Sequence, residues 1–211
     1  MTQSSGGSRA LVGSRLAVSF ANVPAMPGDL PSESLSWEDL IGFLEAARII
    51  SAERGAVLLD LTQSEPQTAQ LLLQKAVRLR SALRQIFRAM VRKEPVGAAW
   101  VQRINEVLQI TEGHDELIAD GDGWRIEFVA RENGLEWLLA AIARSGAELL
   151  AGGIDSPIRS CANPACGLFF YDTSRTHKRR WCSMSLCGNR SKVAAFAKRR
   201  QSKTRAASAG T

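Results

Sequence analysis

Four cysteines in the C-terminal third of this 211-residue chain are the strongest candidates for a chemical site. They form two pairs with the same internal spacing, Cys161 with Cys166 and Cys182 with Cys187, and fifteen residues separate the pairs. Two close cysteine pairs joined by a short span are typical of a tetrahedral zinc site. Because four thiolates would complete the coordination of the ion, the pattern predicts one structural zinc. A catalytic zinc needs an open position for water.

Disulfide bonds and free thiols are the alternative interpretations of these cysteines. Disulfides are typical of small secreted proteins, whereas residues 1–15 are rich in Ser and Gly and lack the apolar core of a signal peptide. Free thiols would not be expected to cluster in one segment. His177 lies between the two pairs and could be proposed as a ligand. With four cysteines available, we expect it to face solvent or a phosphate instead.

Positive charge is concentrated in the same segment. The whole chain has 27 Lys and Arg against 21 Asp and Glu, a formal net charge of +6. Residues 159–211 contain twelve of the bases and a single acid, Asp172, so this segment carries +11 and the rest carries −5. A mildly acidic body with a strongly basic terminal module indicates a polyanionic partner, most often nucleic acid.

Ten side chains of the basic module are candidate nucleic-acid contacts. Arginine can pair with guanine and asparagine with adenine through two hydrogen bonds each, so some of them could read bases. The candidate base readers are Arg179, Arg180, Asn189 and Arg190. The candidates for phosphate contacts are Arg175, Lys178, Lys192, Lys198, Arg199 and Arg200. A basic helix after Cys187 would carry many of them, with Val193 and Phe196 expected on its inner face.

The body that must position this module is predicted to be mainly helical. Residues 16–22 alternate loosely and predict a short strand or extended segment, and the proline-rich residues 23–34 predict a loop. Apolar periodicity then predicts four helices: from an N-cap at Ser36 to about Gly55, from Pro66 to a stop before Pro95, over Ala98–Ile110, and over 134–150 after a cap at Asn133. Basic residues of the second helix, Arg84 among them, are expected to face solvent.

A short β component is predicted inside the helical body. Residues 120–123 form an Asp-Gly-Asp-Gly turn signal, and residues 124–129 alternate at period two, which together predict a β-hairpin. The predicted fold class is therefore mainly α with a small β component (α+β), with a helical N-terminal domain before a four-cysteine zinc finger and its basic terminal helix. The predicted divisions are a disordered tail at 1–15, the helical domain at 16–154, the finger at 155–205 and a second tail at 206–211.

Tryptophans are the body's candidate ligand-binding residues. Trp37, Trp100, Trp124 and Trp137 all fall on predicted inner faces. They could line a pocket for a small-molecule effector, or they could simply fill the core. We favour the core interpretation because aromatic residues on an inner face are usually packing residues.

The cysteine segment resembles a known family. Its first pair lies in CANPAC and is followed by FFYD, and its second pair lies in RRWCSM and CGNR before a basic helix. This run resembles the CGNR zinc finger. Residues 16–23, LAVSFANV, are similar to the LxLDFxNT segment that begins the helical ABATE domain, although Ser19 and Val23 stand where that segment has Asp and Thr. The resemblance implies a bacterial protein of a family described as stress-induced transcription regulators.

Together with this resemblance, the charge separation and the cysteine pattern predict a transcription regulator whose finger binds duplex DNA and whose helical domain is a sensor or oligomerisation module. An RNA- or ribosome-associated zinc module is the alternative, in which Phe169, Phe170 and Tyr171 could stack on unpaired bases. We expect no enzymatic activity, because no nucleophile–base or phosphate-loop motif is present. No apolar stretch is long enough to span a membrane, and a cytoplasmic location is expected. A homodimer and a small-molecule effector remain open.

Overall fold

The computed structural model describes residues 15–25, 34–110, 113–120, 123–130, 134–153 and 156–208. Within these ranges the chain forms seven α-helices, two antiparallel two-stranded sheets and one π-helical turn. The predicted class, mainly α with a small β part, is confirmed. Of the predicted tails, 1–14 and 209–211 lie outside the described residues, and residues 206–208 belong to the last helix. No helix of the described part is long and apolar enough to cross a membrane.

The elements follow one another in a helical body and a C-terminal finger. The helices are α1 (Leu16–Asn22), α2 (Trp37–Ala46), α3 (Ala52–Ser64), α4 (Pro66–Arg92), α5 (Ala98–Ile110), α6 (Trp137–Ala151) and α7 (Asn189–Ser208). The strands are β1 (Gly113–Asp120), β2 (Gly123–Ala130), β3 (Ile158–Ser160) and β4 (Phe169–Tyr171). The π-helical turn spans Met184–Gly188.

The first element is a helix, and the predicted strand or extended segment at 16–22 is wrong. Six of the seven residues of α1 are buried, because the helix packs against α4, α6 and β4. A short apolar run without clear periodicity fits a helix covered on several sides as well as it fits a strand. Tertiary contacts therefore decided the conformation of this segment. Of the predicted loop at 23–34, residues 26–33 lie outside the described part of the chain.

Helix α2 begins as predicted. The Ser36 hydroxyl accepts a hydrogen bond from the Asp39 backbone N–H at 3.0 Å, and the Asp39 carboxylate accepts one from the Ser36 N–H at 3.3 Å. This reciprocal pair is a capping box, which satisfies two backbone donors at the helix start.

The helix predicted from Ser36 to about Gly55 is in fact two helices. α2 ends at Ala46, Arg48 adopts a left-handed conformation with φ 57°, and the Ser51 side chain caps α3. Gly55 was predicted to follow the helix end but lies within α3, where a Cβ atom would collide with the Glu45 side chain. The colliding atoms are the end of the flexible Glu45 side chain, which can turn aside, so the packing of α2 on α3 does not require a glycine at this position.

Helix α4 is the centre of the body, since it packs against α1, α2, α3, α5 and α6. Pro66 occupies its first turn, as predicted. The apolar residues whose periodicity predicts this helix are buried throughout: Leu72, Ala76, Leu79, Leu83, Ile86, Phe87 and Met90. The prediction that Arg84 faces solvent is wrong. Arg84 is buried beneath α1 and donates a hydrogen bond to the Ala21 carbonyl at 2.8 Å.

The remaining body elements follow the predictions closely. The β1–β2 hairpin is confirmed, with Leu117 opposite Ile126; residues 121–122 of its turn lie outside the described ranges. α5 has the predicted bounds. α6 begins at Trp137, three residues after the predicted start, and the predicted cap Asn133 is not among the described residues.

Candidate metal centre and basic surface

The four cysteine sulfurs form one buried cluster. All four Sγ atoms lie within 4.8 Å of one another, and Cys182 Sγ is 3.7 Å from the sulfurs of both Cys166 and Cys187. A tetrahedral zinc with Zn–S bonds of about 2.3 Å separates its sulfurs by about 3.8 Å. A disulfide would bring two sulfurs to about 2.05 Å. The cluster therefore has the spacing of a zinc site, and the disulfide interpretation is excluded.

Two backbone turns bring the cysteines together. In the first, the Cys166 N–H donates to the Asn163 carbonyl at 2.8 Å. In the second, the Ser183 hydroxyl accepts from the Leu186 N–H and so begins the π-helical turn that carries Cys187. A hydrogen bond of 2.8 Å from the Ala162 N–H to the Arg180 carbonyl joins the two halves of the finger.

The electrostatics of the cluster favour a bound cation. Burial raises the pKa of the Cys161 thiol, but hydrogen bonds from the backbone of Cys182 and Asn163 outweigh burial and leave that pKa lowered. Burial and the charges of Cys161 and Cys166 raise the pKa of Cys182. The four thiolates thus repel one another unless a metal ion compensates their charge.

Asn163 supports the cluster through a hydrogen bond to one of its sulfurs. Its Nδ2 donates to Cys187 Sγ at 3.5 Å, and its Oδ1 accepts from the Ala165 N–H at 3.2 Å. Such outer contacts orient thiolate ligands and tune their affinity for the metal. Asn163 was not predicted from the sequence, although its place between the first two cysteines is a usable signal.

His177 lies outside the sulfur cluster. Its side chain is exposed, its backbone is left-handed with φ 47°, and its Nδ1 lies 2.8 Å from the Asp172 carbonyl oxygen. The metal cluster among the described residues contains cysteines alone.

Asp172 organises the loop that connects the two cysteine pairs. Its carboxylate is fully buried and accepts from the Ser174 N–H at 3.0 Å, the Ser174 hydroxyl at 2.6 Å and the Arg179 N–H at 2.9 Å. Arg159 Nε lies 3.6 Å from the same group. Burial acts to raise the pKa of Asp172, but the Ser174 and Arg179 hydrogen bonds and the Arg159 charge outweigh it and lower the pKa. The single acid of the basic module therefore has an internal structural role.

Asn22 of α1 joins the body to the finger. Its Oδ1 accepts from the Phe169 N–H at 2.9 Å and its Nδ2 donates to the Phe169 carbonyl at 2.8 Å, so it pairs with β4 as a neighbouring strand would. The Phe169 ring meets the Phe87 ring edge-on at 5.8 Å and lies beneath the Arg84 guanidinium at 5.5 Å. The finger is thus anchored to α1 and α4 by buried polar and apolar contacts.

The aromatic residues considered for base stacking face the protein interior. Phe169 and Phe170 are buried, and Tyr171 is partly buried with the Arg15 guanidinium 5.0 Å from its ring centre. Trp181 packs against the cysteine cluster. These rings stabilise the finger and its junction with the body.

The candidate nucleic-acid residues whose side chains are described are all exposed. Arg175, Lys178, Arg180, Arg190, Lys192 and Arg200 belong to this set. Arg179 is exposed as well, but it donates to the carbonyls of Trp181 and Cys182 and lies against the Phe170 ring. Asn189 donates to the Ser185 carbonyl at 2.9 Å. The side chains of Lys198 and Arg199 lie outside the described part of the structure.

Helix α7 follows the last cysteine directly and contacts the π-helical turn. Val193 and Phe196, which were expected on an inner face, are 68% and 58% exposed. The expectation was wrong because the helix leaves the finger at its first turn, and nothing in the described chain covers its middle.

The four body tryptophans have different surroundings. Trp37 is buried, and its Nε1 donates to the Leu58 carbonyl at 2.9 Å, as the core interpretation predicts. Trp137 is partly buried. Trp100 is 36% exposed, so its predicted inward orientation is wrong. The Trp124 side chain lies outside the described part.

Comparison with known families agrees with the geometry. The model of the CGNR zinc finger matches residues 158–200. The ABATE model, described as "Putative stress-induced transcription regulator", matches residues 14–153, more than half of the chain. No curated protein matches. The finger match and the four buried, converging sulfurs confirm the predicted site for one structural zinc ion.

Proposed function

The chain belongs to the ABATE family and carries a CGNR zinc finger, and on this premise we propose that it regulates transcription by binding duplex DNA through the finger and α7. The N-terminal body would act as the sensor or oligomerisation module. The described structure and the family together support a regulator.

The exposed positive charge of the zinc-held module carries the proposal. The module has twelve bases and one acid, and that acid, Asp172, is 0% exposed. No acidic side chain of the segment is therefore left at its surface to offset the bases. A surface of one sign attracts phosphates and steers a nucleic acid towards it.

Helix α7 has the dimensions of a groove-binding element. It is twenty residues long, or about 30 Å, and the major groove of DNA admits an α-helix. The zinc turn holds its first residues, while Lys192, Val193 and Phe196 remain exposed. The two apolar side chains could contact thymine methyl groups, which are the apolar features of that groove.

Duplex DNA is favoured over single-stranded RNA by the placement of the aromatic residues. Proteins that bind unpaired bases stack them on exposed rings. Phe169 and Phe170 are buried in this finger, so stacking would require the finger to open.

We propose no catalytic role for the metal. Four cysteines would fill a tetrahedral coordination sphere and leave no position for a reacting water. The zinc would instead supply the free energy that holds the finger and the start of α7, about 10–16 kcal/mol in comparable peptides.

The experiment is fluorescence anisotropy of the zinc-loaded protein with labelled duplex DNA and single-stranded RNA over a salt series. We expect the duplex to be preferred and its affinity to fall about 10³-fold or more between 50 and 200 mM salt if six or more phosphates are contacted. Lys192→Gln should reduce by about one the slope of the logarithm of the binding constant against the logarithm of the salt concentration. The matched control Arg144→Gln, on the exposed side of α6, should leave it unchanged.

Cys182→Ser serves as the zinc-site control and should abolish salt-sensitive binding. A preference for RNA would support the RNA-associated alternative. Absence of binding at low salt, or equal binding by Cys182→Ser, would refute the finger as the nucleic-acid-binding element.

A further inference from the structure

A small cavity lies in the body, where α4, α5 and α6 meet. Its volume is about 270 Å³. Leu79, Val107 and Leu139, one from each helix, form its apolar part, and all three are buried. None of the four body tryptophans is among the residues that line it.

Charged side chains form the remaining lining of this cavity, and most are already paired. Lys75 Nζ lies 2.7 Å from Glu136 Oε1, and this hydrogen bond lowers the pKa of Glu136. Arg103 Nη1 lies 3.0 and 2.9 Å from the two carboxylate oxygens of Glu106. Each carboxylate is therefore neutralised by its own cation.

Arg78 is the third cation of the lining, beside Lys75 and Arg103, which are paired with carboxylates. It lies on the same face of α4 as Lys75 and Leu79, and its side chain is exposed. Within the described chain it makes no hydrogen bond or ion pair. The lining thus combines an apolar floor with one arginine that is available to an incoming anion, and its net charge is positive.

We propose that this cavity binds a small organic anion, with a carboxylate at Arg78 and a short apolar body against Leu79, Val107 and Leu139. Arginine matches the planar geometry of a carboxylate, and apolar walls with few polar groups are typical of ligand sites. A volume of about 270 Å³ lies just below the range of about 300–1,000 Å³ found for drug-sized ligands. Short-chain or single-ring acids therefore fit better than nucleotides.

The position of the cavity offers a route to the finger. Arg78 and Leu79 precede Arg84 and Phe87 on α4, and the latter two contact Phe169 of the finger. Six residues of helix, from 78 to 84, span about 9 Å. Use of the cavity as an effector site rests on the proposed function, whereas ligand binding itself does not depend on it.

The test is a calorimetric titration of the full-length, zinc-loaded protein with hexanoate, and with hexanol as the neutral analogue. We expect hexanoate to bind more tightly than hexanol. Arg78→Gln should weaken hexanoate binding by about tenfold, since it removes the cation and the hydrogen bonds that would hold the carboxylate. The matched control Arg88→Gln, further along α4 and absent from the lining, should bind as the unmodified protein does.

A second cavity provides the competing site. It has a volume of about 370 Å³ at the junction of body and finger, and Arg15 and Tyr171 are among its lining residues. Arg15→Gln should leave hexanoate binding unchanged. Three results would each overturn the proposal. Hexanoate binding could be lost in Arg15→Gln instead of Arg78→Gln, or Arg78→Gln could bind hexanoate as tightly as the unmodified protein. The third is that millimolar hexanoate gives no heat of binding. Because no DNA is present, failure of DNA binding cannot produce these results.

Discussion

At the level of single residues, the finger depends on polar side chains buried beside its metal ligands, and Asp172 is the main example. Its two carboxylate oxygens accept three hydrogen bonds from Ser174 and Arg179, and they fix the loop between the two cysteine pairs. A carboxylate accepting several donors is held in its charged form, so its pKa is lowered in the folded protein.

Asp172→Asn should therefore destabilise the zinc-loaded protein by about 2–3 kcal/mol at neutral pH, because an amide cannot accept all of these bonds. The contribution of the carboxylate is complete above the pKa of an unfolded aspartate, about 3.9, and is lost as the pH falls through the lower folded pKa. Chemical denaturation of the zinc-loaded protein should thus give the same stability difference between variant and unmodified protein at pH 8 and pH 7, where the thiolates keep the metal bound.

The exposed neighbour Thr173 provides the control for this measurement, and Thr173→Ala should change the free energy of unfolding by less than about 0.5 kcal/mol. Equal free energies of unfolding for Asp172→Asn and the unmodified protein at pH 7 would contradict this role of the carboxylate.

At the level of elements, the contact between α1 and β4 decides how the finger is attached. The side chain of Asn22, on α1, makes the hydrogen bonds that a neighbouring strand would make to β4. It pairs with the backbone N–H and the carbonyl of Phe169. Both residues are buried, so these backbone groups have no access to water if Asn22 is lost. The same contact explains why the first element is a helix, since α1 is held between α4, α6 and the finger.

Asn22→Ala should lower the free energy of unfolding by about 2 kcal/mol or more, because a buried donor and a buried acceptor lose their partners. Thermal denaturation followed by circular dichroism measures the effect, and a separate transition of the finger would be the sign of its release. Asn105→Ala, on α5 and only partly buried, is the matched control and should cost much less. Equal effects of the two substitutions would show that the Asn22 contact does not hold the finger.

At the scale of the whole molecule, two cores of different kinds are joined. The body has a large apolar core centred on α4. The finger has a small cluster made mainly of its four cysteines with Leu168 and Phe170. A cluster of this size cannot support a fold without metal, whereas the body can.

Removal of zinc with a chelator should therefore unfold the finger and leave the body folded. Far-ultraviolet circular dichroism should lose helical signal corresponding to α7, while a cooperative thermal transition of the body persists at a lower temperature because the β4 contact is gone. Cys182→Ser should reproduce this spectrum without chelator. Complete loss of helical signal on chelation would mean that the body depends on the finger for its own stability.

Features that depend on residue type and local spacing could be predicted from the amino-acid sequence. The zinc ligands were predicted because a tetrahedral ion requires four donors at fixed separations. The N-cap at Ser36, the start of α4 at Pro66 and its apolar periodicity were predicted because helix signals lie within a few residues of one another. The separation of charge between body and finger is a property of composition and needs no structure.

Features that depend on residues far apart in the chain could not be predicted and were seen first in the folded protein. Asn22 and Phe169 are 147 positions apart, and their pairing places α1, buries Arg84 and turns Phe169 inward. Three residues of types that usually lie in a core are exposed because no other described element covers them: Trp100, Val193 and Phe196. Local sequence patterns show which residues can be buried. Whether a residue is buried depends on a second surface that packs against it, and that surface is formed only when the chain folds.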